Sequence, residues 1–360
     1  MVGLLFAIVW GNFWLLPVSY RWWWLSATSM FGLWLFAPTS MFMVFGLSLA
    51  TFYIVNYLRW TRFWIVCLLS QLVYWKAVAT TSPVGISFLS FFLLHYTIEQ
   101  ARQNLPTHTV SMFLGRAFFL PIFSAGPIER FQNFIQNQQN KPLWVLAGTR
   151  IGLGIFQKWV LAEGALSLFL NGWTGEQLGE NWSHLSVLAL WGVLAGLFAQ
   201  LYCDFAGYSN LAIGFSALFG FHIADNFHTP LLSLNPTEFW KRWHISLSSF
   251  CQSYVYLPLL GITRNPYVSI WMTFVLMGLW HSMSFKWALW GVLHGTALML
   301  HLRWRRWTKG VEWQQSLWWK GLAWLLLMLF LSLTSALTQI PASHSVSVSF
   351  DIISHAFGLN

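Results

Sequence analysis

Residues 239–248 read Phe239-Trp240-Lys241-Arg242-Trp243-His244-Ile245-Ser246-Leu247-Ser248, and residues 278–281 read Gly278-Leu279-Trp280-His281. The second run leads into an apolar, helix-like stretch from Phe285 to Leu293. Two histidines therefore frame the segment from Trp240 to Gly295, inside a chain that is otherwise largely apolar. A histidine in such surroundings costs free energy unless it is paired, hydrated or used. That pair is the feature the rest of the chain has to accommodate.

Of the 360 residues, 57% are hydrophobic and only 8% are charged, where a soluble domain carries about 25% charged residues. Such a chain cannot cover a water-facing surface of ordinary polarity. It predicts an all-α polytopic membrane protein. Apolar stretches near the spanning length of about 20 residues recur around 2–19, 22–37, 41–58, 63–80, 84–99, 110–125, 145–170, 184–203, 206–221, 266–281, 285–302 and 318–339. That pattern predicts roughly nine to twelve spans, some short enough to be re-entrant or interfacial. The N-terminus is apolar from Val2 without a basic lead or a small-residue cleavage site, which predicts a retained first span.

The 26 tryptophans and 32 phenylalanines suit aromatic belts, as at Arg21-Trp22-Trp23-Trp24 and Trp318-Trp319-Lys320. The net charge of +9 is spread over many loops and fits a positive-inside bias better than nucleic-acid binding. Arg303, Arg305, Arg306 and Lys309 cluster after an apolar segment, which predicts a cytoplasmic loop, as do Arg130 and Lys141 in residues 126–142. Residues 171–184 hold Glu176 and Glu180 and no Lys or Arg, which suits an external loop. Cys67, Cys203 and Cys251 form no paired motif, so neither a disulfide framework nor a zinc site is expected. His222, Asp225 and His228 would drift around a helix instead of sharing a face, so no metal centre is predicted.

Pro230, Pro236, Pro258 and Pro266 punctuate a polar-aromatic interruption from Asn226 to Asn265. Between Thr237 and Ser253 there is neither proline nor glycine. The spacing there predicts one amphipathic helix, capped by Thr237 and lying at the membrane interface or dipping into it. It would bring His244 in from one side while a true span delivers His281. Asp204, in an apolar run, is expected to be buried, orienting a histidine, capping the turn at Gly207-Tyr208 or simply hydrogen-bonded within the bundle. Glu163 is expected to form a buried ion pair with Lys158. His294 lies away from obvious chemistry and is expected to bond a backbone carbonyl. His95, His108, His344 and His355 carry no motif.

Several runs resemble the membrane-bound O-acyltransferase (MBOAT) family, most closely its bacterial branch that acetylates exopolysaccharides such as alginate or D-alanylates teichoic acid. They are Pro83-Val84-Gly85-Ile86-Ser87-Phe88 with Tyr96 and Glu99 following, Gly126-Pro127-Ile128-Glu129-Arg130-Phe131, and Asp204-Phe205-Ala206-Gly207-Tyr208-Ser209-Asn210. Phe219-Gly220-Phe221, Asn226-Phe227 and the stretch from Phe239 to Ser248 follow. Tyr254-Val255-Tyr256-Leu257-Pro258-Leu259, Gly278 to His281, and Leu289-Trp290-Gly291-Val292-Leu293-His294-Gly295 complete the series. Collinear matches of this length are more specific than any single short pattern. They cover roughly residues 83 to 295 of one integral-membrane domain taken as 1–360. Departures occur at Phe250, Gln252 and Ser253, where the family usually has a Trp and then an Arg-Asp pair, and at Leu260 and Ser282.

The resemblance implies a ring of tilted spans around a central reaction chamber, in a bacterial cytoplasmic membrane. It implies transfer of a short acyl group, acetyl first, to a hydroxyl of a cell-envelope polysaccharide. The acyl thioester co-substrate, acetyl-CoA or an acyl carrier protein, would come from the cytoplasm and the glycan from the opposite face, with no tightly bound cofactor. A carrier protein, a periplasmic transferase and membrane lipid are the partners it suggests, and nucleic acid is not among them. The alternative is transfer of D-alanyl or another acyl group to teichoic acid or a small metabolite. A transporter or scramblase would call for broken helices in paired halves, and no internal repeat is apparent.

By position, His281 corresponds to the family's catalytic histidine and His244 to its second one. An imidazole with a pKa of about 6.5 is mostly neutral at pH 7 and can take a proton from an attacking hydroxyl. Ser246 and Ser248 could carry an acyl group in a covalent route, or simply cap and pack. The candidates for binding substrate are Trp240, Arg242, Trp243, Ser248, Tyr254, Trp280 and Asp204.

Overall fold

In lipid every backbone amide must find its partner within the chain, so apolar segments of this length become helices. The computed structural model describes residues 2–79, 81–308, 316–341 and 343–359, with side chains described from Phe6 onward. Lys309, placed in the cytoplasmic cluster above, lies outside the described residues. Among these residues helices dominate and no strand forms. Five helical stretches are long and apolar enough to cross a bilayer: Pro38–Leu58, Trp144–His184, Val187–Leu218, Ile245–Thr263 and Leu317–Gln339. That is fewer than the roughly nine to twelve expected from apolar runs of spanning length. The expected span at 110–125 is only an eight-residue helix, Val110–Ala117, followed by a 3-10 turn at Leu120–Ile122. At ~1.5 Å per residue it reaches only about 12 Å. The two spans expected at 184–203 and 206–221 are one helix of 32 residues, because Gly207 is accommodated without a break.

The chain divides into two compact units. Residues 1–154 and 208–225 form one, and residues 155–207 and 226–360 the other. The first has a core of Phe13, Trp22, Leu25, Phe119, Phe134 and Phe221, with the Phe134 and Phe221 rings stacked at 4.3 Å. In its stretch 126–131, Glu129 is only 3% exposed. Glu129 Oε2 accepts from the Ala224 amide at 2.8 Å, and its carbonyl accepts from Arg116 at 2.7 Å. Burial pushes the Glu129 carboxyl above its usual range, and the Ala224 amide and Arg116 oppose that rise. The Phe131 amide donates to His95 Nε2 at 3.1 Å. Tyr96, of the early family-like stretch, shares its hydroxyl with His108 and Asn56 at 2.7 and 2.8 Å. His95 and His108 thus hold loops in place.

The second unit carries the segment that opened the sequence reading. Here α1 (Pro236–Arg242) and α2 (Ile245–Cys251) replace the single helix expected between Thr237 and Ser253. Asn235, not Thr237, caps α1, accepting from the Glu238 amide at 2.9 Å, with Pro236 in the first turn where its missing N–H does no harm. Thr237 instead bonds His301 Nδ1 at 2.7 Å. The break falls at His244, whose φ of 42° and ψ of 54° put it in the left-handed region. For a non-glycine residue that costs about 1–2 kcal/mol. The local hydrogen bonds offset it: Asn226 O accepts from the Ile245 amide and Arg242 O from the His228 amide, both at 2.9 Å.

Beyond α2 the helix continues through a π turn at Gln252–Tyr256 into α3 (Leu257–Thr263). Pro258 lacks an N–H and crowds the carbonyl one turn back, and a π turn absorbs that conflict without ending the helix. The run Ile245–Thr263 is long and apolar enough to cross a bilayer. Next come α4 (Pro266–His281) and α5 (Phe285–Trp307), joined by the short turn Ser282–Ser284. They press together through glycine: a Cβ on Gly278 would sit 2.1 Å from Trp287 O, and one on Gly291 2.4 Å from Phe274 O. The last two helices are α6 (Leu317–Gln339) and α7 (Val346–Ala356).

Candidate active site

His281 is the last residue of α4, and the tight hairpin folds the start of α5 back over it. Its ring stacks on Trp287 at 4.6 Å and 20°, with Trp280 at 4.4 Å and the edge of Trp290 at 6.1 Å. Indoles on several sides set the plane of the imidazole. His244 approaches from the α1–α2 break. It is 3% exposed, packed edge-on against Phe205 at 4.8 Å, with Nδ1 2.9 Å from Asn226 Oδ1. His281 was expected at the end of a true span, but α4, with 16 residues, is not among the five stretches long and apolar enough to cross a bilayer.

Both histidines line one cavity of about 260 Å³ within the second unit. Its walls are aromatic and aliphatic, including Phe198, Phe205, Phe239, Trp240, Trp243, Met277, Trp287, Trp290 and Leu331. Thr334, Ser335 and Thr338 of α6 supply hydroxyls. No carboxylate lines it among the described residues. Trp240 packs on Phe274, Trp290 and His294 at 4.8, 5.8 and 5.5 Å. Trp243 clusters with the rings of Phe239 and Phe198, at 5.4 and 5.7 Å.

His294 also lines this cavity. It was expected away from the chemistry, bonded to a backbone carbonyl. Instead its Nε2 lies 3.1 Å from Thr334 Oγ1, and Trp290 packs against it at 4.5 Å. The signal was present in the sequence: Trp287, Trp290 and His294 are spaced three and four apart, so they share one face of α5. Nothing short of the fold shows that this face meets His281.

Of the seven expected substrate-binding residues, Trp240 and Trp243 line the cavity, and the other five do not. Arg242 pairs with Glu238 at 2.6 Å and reaches Thr229 at 3.3 Å. The Ser248 hydroxyl points back to Trp243 O at 3.4 Å. Tyr254 packs on Phe250 at 4.8 Å, and Trp280 packs against His281 at 4.4 Å. Asp204 pairs with Lys158, which also holds Glu163 at 3.2 Å. The Lys158 pairing of Glu163 is as expected, but both carboxylates are about half exposed and not buried. Ser246 bonds Asn226 Oδ1 at 2.8 Å, which ties its hydroxyl to the loop.

The family model described as MBOAT, membrane-bound O-acyltransferase family, matches residues 24–338. Over 228 residues the chain is 35% identical to the probable alginate O-acetylase AlgI of Pseudomonas aeruginosa, covering 61% of this chain and 42% of that protein. It is 31% identical over 250 residues to the teichoic acid D-alanyltransferase of Streptococcus thermophilus, covering 64% and 59%. It is 29% identical over 286 residues to the peptidoglycan O-acetyltransferase of Helicobacter pylori, covering 70% and 53%. The aligned part thus spans less than half the length of the alginate relative and just over half of the other two.

Proposed function

This chain belongs to the membrane-bound O-acyltransferase family, and from that premise we propose that it transfers an acetyl group from a thioester donor to a hydroxyl of a cell-envelope polysaccharide. The observation that carries the reading is the cavity holding His281 and His244 behind indole walls. In this reading the hydroxyl enters beside His281, which takes its proton as the oxygen attacks the thioester carbonyl. The carbonyl carbon gains the new C–O bond, the C–S bond breaks, and the proton on His281 is then available to the departing thiolate. The apolar walls exclude water that would otherwise hydrolyse the thioester.

Two features favour acetyl. The volume of about 260 Å³ accepts a short acyl group. The lining also has no carboxylate to receive the ammonium of a D-alanyl group, whose desolvation would cost several kcal/mol. The donor arrives from the cytoplasm as acetyl-CoA or on an acyl carrier protein, and the glycan from the other face of a bacterial cytoplasmic membrane.

The test is transfer of radiolabelled acyl groups by purified protein in liposomes, comparing acetyl-CoA, acetyl-carrier protein and D-alanyl-carrier protein against glycan acceptors. Acetyl transfer is the expected result, and turnover with D-alanyl donor alone would reverse the assignment of the acyl group. The proposed orientation has its own check. With native cysteines replaced, an impermeant thiol reagent applied to intact cells should label Glu180→Cys, an exposed position, and spare Arg306→Cys. The opposite pattern would invert the topology.

A further inference from the structure

The hydrogen bonds around Asn226 decide which nitrogen of His244 carries a proton. Asn226 Oδ1 receives three contacts: the Ser246 amide at 3.4 Å, the Ser246 hydroxyl at 2.8 Å and His244 Nδ1 at 2.9 Å. A backbone amide can only donate, so the atom facing it is the carbonyl oxygen of the Asn226 side chain and not its NH2. A carbonyl oxygen can only accept, so His244 Nδ1 must donate to it. His244 is then the Nδ1–H tautomer, with its Nε2 lone pair bare. The direction follows as well. His244 lines the cavity and Asn226 does not, so the ring turns its Nδ1 edge to Asn226 and its opposite edge to the cavity.

The same asparagine holds the backbone in register. Its main-chain oxygen accepts from the Ile245 amide at 2.9 Å, directly after the left-handed residue His244. One residue therefore braces the break between α1 and α2 and sets the chemistry of the ring that the break exposes. We propose that Asn226 is a positioning residue that fixes His244 as the Nδ1–H tautomer and presents its bare Nε2 to the cavity, where it accepts from a neighbouring hydroxyl of the glycan and so places the attacking hydroxyl beside His281. This deepens the acyl-transfer reading and rests on it for the identity of the group that Nε2 meets.

Two measurements on the full chain test it. In protein labelled with 15N-histidine, assigned by difference against His244→Gln, His244 should show a protonated Nδ1 and a bare Nε2. Asn226→Leu should move it toward the Nε2–H form that free imidazole favours in water. In the acyl-transfer assay Asn226→Leu should lower kcat/KM by about 10- to 100-fold, the range for groups that orient a functional histidine. Asn226→Asp, which keeps an acceptor oxygen in the same place, should recover most of that loss. In the His244→Ala background the Asn226→Leu penalty should shrink to less than about twofold, since its target is gone. An equal penalty in both backgrounds, or an Nε2–H ring in the wild-type protein, would overturn the proposal. If the wild-type protein transfers nothing from any donor, the proposed function fails, and the nitrogen shifts still decide the tautomer.

Discussion

His281→Gln should be as inactive as His281→Ala, with acyl transfer reduced by about 100- to 10,000-fold, the usual worth of a positioned general base. Glutamine keeps a hydrogen-bonding end and most of the side-chain length but cannot take up a proton. Comparing the two variants therefore separates a base from a group that merely orients its substrate. Donor binding should survive in both, because the imidazole acts on the hydroxyl and the indoles of Trp287 and Trp290 still wall the cavity. His244→Ala should be the milder change, acting through placement of the acceptor. The measurement is single-turnover transfer of a radiolabelled acetyl group, run beside donor binding. Turnover by His281→Gln within tenfold of wild type would remove His281 from the proton's path.

The second large effect is expected at a position with no reactive group. Gly278→Ala places a methyl 2.1 Å from Trp287 O, and Gly291→Ala places one 2.4 Å from Phe274 O. Both contacts are to backbone, which cannot rotate away, so α4 and α5 must part. Overpacking of this kind costs about 1–3 kcal/mol. The indole stacked on His281 belongs to the very residue whose carbonyl is struck, so activity should fall further than stability. The double variant should cost less than the two singles added, since helices already parted by one methyl admit the other. Gly321→Ala in α6 is the control: no atom lies within 4 Å of its added Cβ, and helix propensity should make it neutral or stabilising by up to about 1 kcal/mol. Melting temperatures in detergent, paired with the transfer assay, read all four. Wild-type activity in Gly278→Ala would show that the close crossing of α4 and α5 does not set the geometry of His281.

Much of the fold was legible because lipid leaves a chain few choices. Scarce charge and repeated apolar runs are enough to imply a helical membrane protein, and α4, α5 and α6 lie close to where those runs were read. Element ends were less legible. The polar run at Asp204 to Asn210 looked like a break, yet it lies within one 32-residue helix. Conversely, residues 237–253 lacked any helix breaker and still broke at His244, because Asn226, 18 positions away, supplies the hydrogen bonds that make a left-handed residue tolerable there.

The site divides along the same line. The sequence by itself determined that His281 and His244 are the residues to explain, since a costly ring in an apolar chain is informative wherever it sits. It also placed Trp240 and Trp243 next to that chemistry. Only the tertiary structure decided that His294 joins them, that Arg242, Ser248, Tyr254 and Asp204 turn to other partners, and which nitrogen of His244 is bare. The reason is physical: burial cost is a property of a residue and its neighbours in sequence. A hydrogen-bond partner, a ring stack or a helix crossing that admits only glycine is a property of segments brought together from far apart in the chain.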